Sequence, residues 1–255
     1  NVDTGSSQAV VKSDDIAIGT EASTDASDSS TAIGKNAKVS KSTDAVAIGS
    51  AAEADSSNDA LVLGKGASAK SAADSIALGT SAAAASADTI AMGSSARAEG
   101  VGSVVIGKGA KTTGEGGTAI GSSSMASGRS MAIGQSATAN NDDALAIGNG
   151  AVANADRSIS LGYHAGEGTK EGKGEEQNAG SLIAIGTKAG KDVAGKQNIA
   201  IGSGAGNLVK SNFNVAIGSD AGWNINSASD DADQNGNNVS IGRMANYNRE
   251  MTSIM

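Results

Sequence analysis

Apolar residues in this chain fall in short triplets, each closed by a glycine: Ile16-Ala17-Ile18-Gly19, Thr31-Ala32-Ile33-Gly34, Val46-Ala47-Ile48-Gly49, and so on to Val239-Ser240-Ile241-Gly242. The unit occurs fifteen times, with its glycine at Gly19, Gly34, Gly49, Gly64, Gly79, Gly93, Gly107, Gly121, Gly134, Gly148, Gly162, Gly186, Gly202, Gly218 and Gly242. Successive glycines are 15 residues apart four times, then 14 three times, then 13, 14, 14, 24, 16, 16 and 24. A short period kept over most of a chain marks a solenoid.

Within each unit the residue before the glycine is Ile, Leu or, once, Met92, and the residue two before is Ala, Val or Ser. Side chains alternate across a strand, so the triplet predicts a short strand that is apolar on both faces and needs cover on both. Three residues after the glycine stands Ala in every unit but one, where it is Ser124. In the first ten units the residue five after is small as well, while the residue four after is anything: Ser23, Lys38, Glu53, Ser68, Ala83, Arg97, Lys111, Met125, Thr138, Val152. That in-out-in order predicts a second, half-buried strand with one solvent face. The glycine, lacking Cβ, suits the turn between the two. A helix is excluded by a Gly in every unit and by the lack of a 3.6-residue apolar period.

Composition sharpens this picture. Aromatic residues make up 2% of 255 residues, namely Trp223, Phe213, Tyr163 and Tyr247, too few for an ordinary globular core. The strict register, however, separates the chain from a disordered one of similar polarity. There is no Pro, as expected where nearly every backbone N–H is needed in a ladder, and no Cys, so disulfides and thiolate metal sites are excluded. The net charge of −8 is spread without a basic patch, which disfavours nucleic acid and anionic membranes as partners. No apolar run reaches the length of a bilayer-spanning helix. One chain does not supply cover for a strand apolar on both faces, and self-association is the simplest source of it.

The xAIGxxAxA unit at this spacing resembles the YadA-like head of trimeric autotransporter adhesins, over roughly residues 14–247. The resemblance implies a left-handed parallel β-roll, three identical chains around one axis, and display on the surface of a Gram-negative cell. It also implies a neck, stalk and outer-membrane anchor beyond the head. The expected organisation is a capping segment at residues 1–13, regular repeats at 14–166, longer repeats with two inserted loops at 167–247, and the start of a connection to a neck at 248–255.

Beyond Gly162 the A-x-A strand gives way to Ala165-Gly166, Ala189-Gly190, Ala205-Gly206 and Ala221-Gly222, and Gly at that place predicts a turn. Asn198, Asn214 and Asn238 precede the later triplets, where Asn commonly closes turns. The two long steps hold the polar segments Glu167–Gly180 and Trp223–Asn237, read as loops standing off the roll. Asp231, Asp233, Asn235 and Gly236 match half of a calcium loop, but the bidentate Glu due at its end is Gly242, so a solvated acidic loop is the reading adopted. His164, the only histidine, reads as a surface or turn residue. Trp223 with Ile225 reads as a plug for the last units, the other reading being an exposed binding anchor.

No catalytic residues, cofactor or metal site are expected. The function expected is a non-catalytic adhesive head that binds host matrix proteins, cell-surface receptors or other bacteria. A trimeric tail-fibre-like receptor-binding protein is the alternative. The solvent-facing column formed by Lys38, Glu53, Arg97, Lys111 and Met125 is the candidate ligand-binding surface, with the two loops as the competing place.

Overall fold

The computed structural model describes residues 14–169, 181–225 and 237–247. These form two compact units, residues 1–124 and 125–255, each a parallel β-solenoid. The predicted N-terminal cap, the C-terminal connection and the Asp231–Gly236 motif lie outside the described residues.

In the first unit every triplet is a strand, from Ile16–Ile18 to Thr118–Ile120, and these first strands stack parallel into one sheet. The second strands, from Ser23–Asp25 to Lys111–Thr112, stack into another. Register is strict: Ala17 pairs with Ala32, Ala47 with Val62, and Ser23 with Lys38. In the second unit, first strands run from Met131–Ile133 to Val239–Ile241, but second strands end at Val152–Ala153. The later coils turn at Ala-Gly, as expected. No helix occurs among the described residues.

One expectation is corrected. The triplet is covered on one face only. Its small middle residue points into the coil and is fully buried, as at Ala32, Ala47 and Val62, whereas the larger residues on either side point out. The second strands behave as predicted, with Ala37 and Val39 buried and Lys38 exposed between them. The coil interior is too narrow for anything else: in the first unit its largest fully buried side chains are Val39, Val62 and Val105.

A further inward column stands four residues before each glycine. Its members in the early coils include Ser30, Ser75 and Thr89, and in the late coils Asn198 and Asn214, all buried. Each hydroxyl satisfies itself on a nearby turn: Ser75 Oγ donates to Ala72 O at 2.6 Å and Thr89 Oγ1 to Ser86 O at 2.7 Å. The asparagines build a ladder. Asn198 Oδ1 accepts from both the backbone N and Nδ2 of Asn214, each at 2.9 Å, and Asn214 Oδ1 accepts from Asn238 Nδ2 at 2.8 Å. Asn214 Nδ2 also donates to Ser211 O at 2.9 Å. These side chains bond one coil to the next, a larger role than closing turns, and they add to backbone bonds between the late coils such as Gly190 N to Ala205 O at 2.8 Å.

The late coils also carry a wider core. Thr169, Val193, Val209 and Ile225, each seven residues after its glycine, are buried in one column. Ile225 is thus an interior residue, while Trp223 is half-exposed and stacks on Tyr247 with ring centroids 5.8 Å apart. The plug reading holds for Ile225 and not for Trp223. Likewise, Glu167–Thr169 and Trp223–Ile225 continue the coil; the rest of both loops, up to Gly180 and residue 236, lies outside the described residues.

The corners use left-handed backbone. In the 15-residue coils three corner residues do so, for example Ala51, Ser56 and Asp59 at φ 52 to 56°. The 14-residue coils lack the middle one, so the change of spacing deletes a single turn residue and shortens the second strand. The repeat glycines answer a different need. Gly107 has φ 142°, and a Cβ there would stand 2.5 Å from the carbonyl carbon of Gly121 in the next coil. Gly107→Val is therefore expected to cost on the order of 3 kcal/mol or more per chain. Ala51→Gly, at an exposed corner with φ 56° where the next coil already has Gly66 at φ 63°, should stabilise by about 1 kcal/mol. Thermal unfolding of the two variants checks both signs; an unchanged melting temperature for Gly107→Val would contradict the close stacking.

Candidate binding surface

In the first ten units the residues four after the glycine line up on the second strands. Ser23, Lys38, Glu53, Ser68, Ala83, Arg97 and Lys111 stand side by side on successive second strands of the first unit. Met125, Thr138 and Val152 do the same in the second unit. Lys38, Arg97 and Met125 are exposed, and Glu53 and Lys111 are half-buried.

Most of its charges have partners in the same chain. Lys70 Nζ lies 2.8 Å from Glu53 Oε2, and this hydrogen bond raises the Lys70 pKa. Arg97 Nε donates to Glu99 Oε1, which also lies 3.4 Å from Lys111 Nζ. Ser40 Oγ donates to Asp55 Oδ1 at 2.6 Å and holds the Asp55 pKa below its ordinary value. Of the five candidates, Lys38 carries a charge without an ion pair among the described residues.

A second outward surface is apolar. In each unit the large residues of the first strands form an outward seam that is open at many points: in the first Ile16 is 49% exposed and Leu61 41%, and in the second Met131 is 39%, Val239 64% and Ile241 67%. Among the described residues these side chains stay partly exposed on that face.

A third feature is a cluster around the histidine. His164 sits at a corner with φ 52°, its ring edge-on to Tyr163 at 4.2 Å. Its Nδ1 lies 3.1 Å from Glu167 Oε2, which accepts from Lys191 Nζ of the following coil at 3.1 Å. The Lys191 hydrogen bond is the main cause that lowers the Glu167 pKa. His164 is a corner residue, as its place in the sequence implied. No group of three or more His, Cys, Asp or Glu among the described residues is arranged to hold a metal ion. No helix among them is long and apolar enough to cross a membrane.

Sequence reasoning missed the inward polar column and the pairing of charges on the second sheet. The first could have been found by noting that Ser, Thr and Asn recur four residues before the glycine. The second needed the stacking register, which puts Glu53 and Asp55 beside Ser68 and Lys70.

Taken together, stacked two-strand coils with a small-residue interior and an outward apolar seam define a parallel β-solenoid. The family model described as the YadA head domain repeat matches residues 12–37, 27–52, 71–96, 98–124, 126–151 and 139–165, more than half of the chain. The chain belongs to this family. Among solved structures, the crystal structure of the collagen-binding domain of Yersinia adhesin YadA is similar at 20% identity, covering 96% of this chain and 89% of that chain, with a TM-score of 0.29. No residue role is transferred from it. Comparison with curated proteins gives no match.

The Glu167–Lys191 pair yields a pH prediction. Because the folded Glu167 pKa is lowered, its contribution to stability is present above the ordinary Glu value near 4.3 and is lost as pH falls through the lower, folded value. Both groups are partly exposed, so the contribution is under about 1 kcal/mol. Glu167→Gln should flatten the loss of stability below about pH 4.3, read by thermal unfolding across pH. An identical acid limb in the variant would remove Glu167 from the account.

Proposed function

We propose that this chain is the adhesive head of a surface protein of a Gram-negative bacterium, with no catalytic role. In this reading three identical left-handed rolls pack seam to seam, and the assembly holds host matrix proteins, cell-surface receptors or other bacteria. The observation that carries it is the outward apolar seam of a chain in the YadA head family. Packing seams together removes the exposed faces of residues such as Ile16, Leu61, Leu63 and Ile106 from water, at roughly 25 cal/mol per Å². The second sheet and its outward column then remain on the outside.

The ligand surface in this reading is the column of Lys38, Glu53, Arg97, Lys111 and Met125. Its side chains stand on a hydrogen-bonded strand scaffold, so fixing them on a ligand costs little ordering entropy. Each contact is weak, but repetition along the sheet and over three chains makes the surface multivalent.

Two variants test the placement against a panel of immobilised matrix proteins and receptor ectodomains. In one, Lys38, Arg97 and Lys111 become Ser. In the other, the two 24-residue steps are shortened to 16. The column variant is expected to lose at least about ten-fold in avidity while the shortened variant binds normally. Full binding by the column variant, with loss in the shortened one, would overturn the placement.

A further inference from the structure

The charges of the first unit are of two kinds. Those on the outer face of the second sheet are largely paired within the chain, as Glu53 is by Lys70 and Glu99 by Arg97 and Lys111. Those that border the apolar seam are not. Directly after the glycine, on one border, stand Lys35, Lys65 and Lys108; five residues before it, on the other, stand Asp44, Asp59, Asp74 and Asp88. All seven are exposed, and none forms an ion pair among the described residues.

Both borders are held by the backbone ladder. On the basic side Ala51 N donates to Lys35 O at 2.8 Å and Ser81 N to Lys65 O at 2.9 Å. On the acidic side Asp59 N donates to Thr43 O at 3.0 Å and Asp74 N to Asn58 O at 2.9 Å. Four aspartates are thereby stacked on successive coils, at about 4.8 Å per step, with no ion pair to any of them among the described residues. Like charges that close repel, and the arrangement is unfavourable unless opposite charges arrive from outside.

We propose that these borders form an electrostatic clamp between copies of this chain, in which the lysine border of one seam faces the aspartate border of the next. The inference rests on the reading that the seams pack together. It adds what sets their direction. When parallel copies are related by a rotation along the solenoid axis, the border following the glycine in one copy meets the border preceding it in the next. On every side Lys65 then faces the coil of Asp59, and Lys35 and Lys108 stand one coil from Asp44 and Asp88. When copies run antiparallel, lysine meets lysine and aspartate meets aspartate, and the packing is penalised. The clamp thus selects parallel, cyclic assembly, leaving the seam residues to supply the contact area.

The test uses the whole chain in three charge-reversed forms: Lys35→Glu/Lys65→Glu/Lys108→Glu, Asp44→Lys/Asp59→Lys/Asp74→Lys, and the two sets combined. The sites tolerate change, since Ser50 and Ser94 occupy equivalent places on the basic border, and Lys41 and Lys188 adopt the same left-handed backbone as the aspartates. Sedimentation equilibrium is run at low salt and in about 1 M salt, where the Debye length is about 3 Å. Each single-border reversal should raise the concentration for half-assembly at least ten-fold at low salt and far less at high salt. The combined form, complementary again, should return to within about three-fold of the parent. The proposal is overturned if single reversals leave a trimeric parent's assembly unchanged, if the loss persists in high salt, or if the combined form is no better than either single one. A parent chain that is a folded monomer overturns the seam-packing reading itself, and the clamp with it.

Discussion

Everything in this structure depends on how little room there is inside a coil. Two strands joined by tight corners enclose a space that admits Ala, Ser, Thr, Val or Asn, and among the described residues Leu182 and Ile225, the larger buried side chains, both lie in the 24-residue steps. Large apolar side chains in the regular coils must therefore point outward, the reverse of an ordinary globular domain. The interior still excludes water, but its contribution per residue is small because an alanine buries little surface. Cohesion within the chain comes instead from the ladder of backbone hydrogen bonds between coils, supplemented by Ser, Thr and Asn side chains turned inward.

The same narrowness fixes the backbone. Consecutive repeat glycines lie so close that no side chain fits between them, and the corners adopt left-handed conformations even where the residue is Ala, Lys or Phe213. That strain is offset where a corner N–H is engaged with the previous coil, as Phe213 N is with Lys196 O at 2.9 Å and Asp220 N with Ser203 O at 2.8 Å. In the late coils the second strands end but backbone bonds between coils continue, as from Gly190 N to Ala205 O and from Gly206 N to Ala221 O, each 2.8 Å, and the Asn198–Asn214–Asn238 ladder and the Val193–Val209–Ile225 column add to them. Because no second strand has to be kept in register there, residues can be added to a coil without breaking a sheet. Both long inserts fall in that region.

Much of this was legible in the sequence. The apolar triplets located the first strands, the Ala-x-Ala pattern located the second, and the Ala-Gly pairs marked where the second strands stop. What could not be read was direction. A triplet such as Val46-Ala47-Ile48 is apolar on both faces, and the preference for burying large residues points the wrong way when the enclosed space fits only Ala47. Trp223 and Ile225 were similarly indistinguishable as plugs until the coil placed one outside and one in. The candidate column was located from its variability, but the pairing of its charges with Glu99 and Lys70 depends on side chains two positions along the strand in the same or a neighbouring coil.

Among the described residues the outward seam stays partly exposed in the single chain, and its methionines offer a direct probe. Met131 on the seam is 39% exposed in one chain and Met125 on the second sheet is 36% exposed, so they should oxidise alike if the chain stands alone. If seams pack against one another, Met131 is covered and Met125 is not. Peroxide treatment of the folded protein, followed by mass spectrometry of each methionine, compares the two rates. The account predicts that Met125 oxidises at least ten times faster than Met131, with Met92 on the seam protected as well. Equal rates for Met125 and Met131 would show that the seam is open to water and would contradict the account.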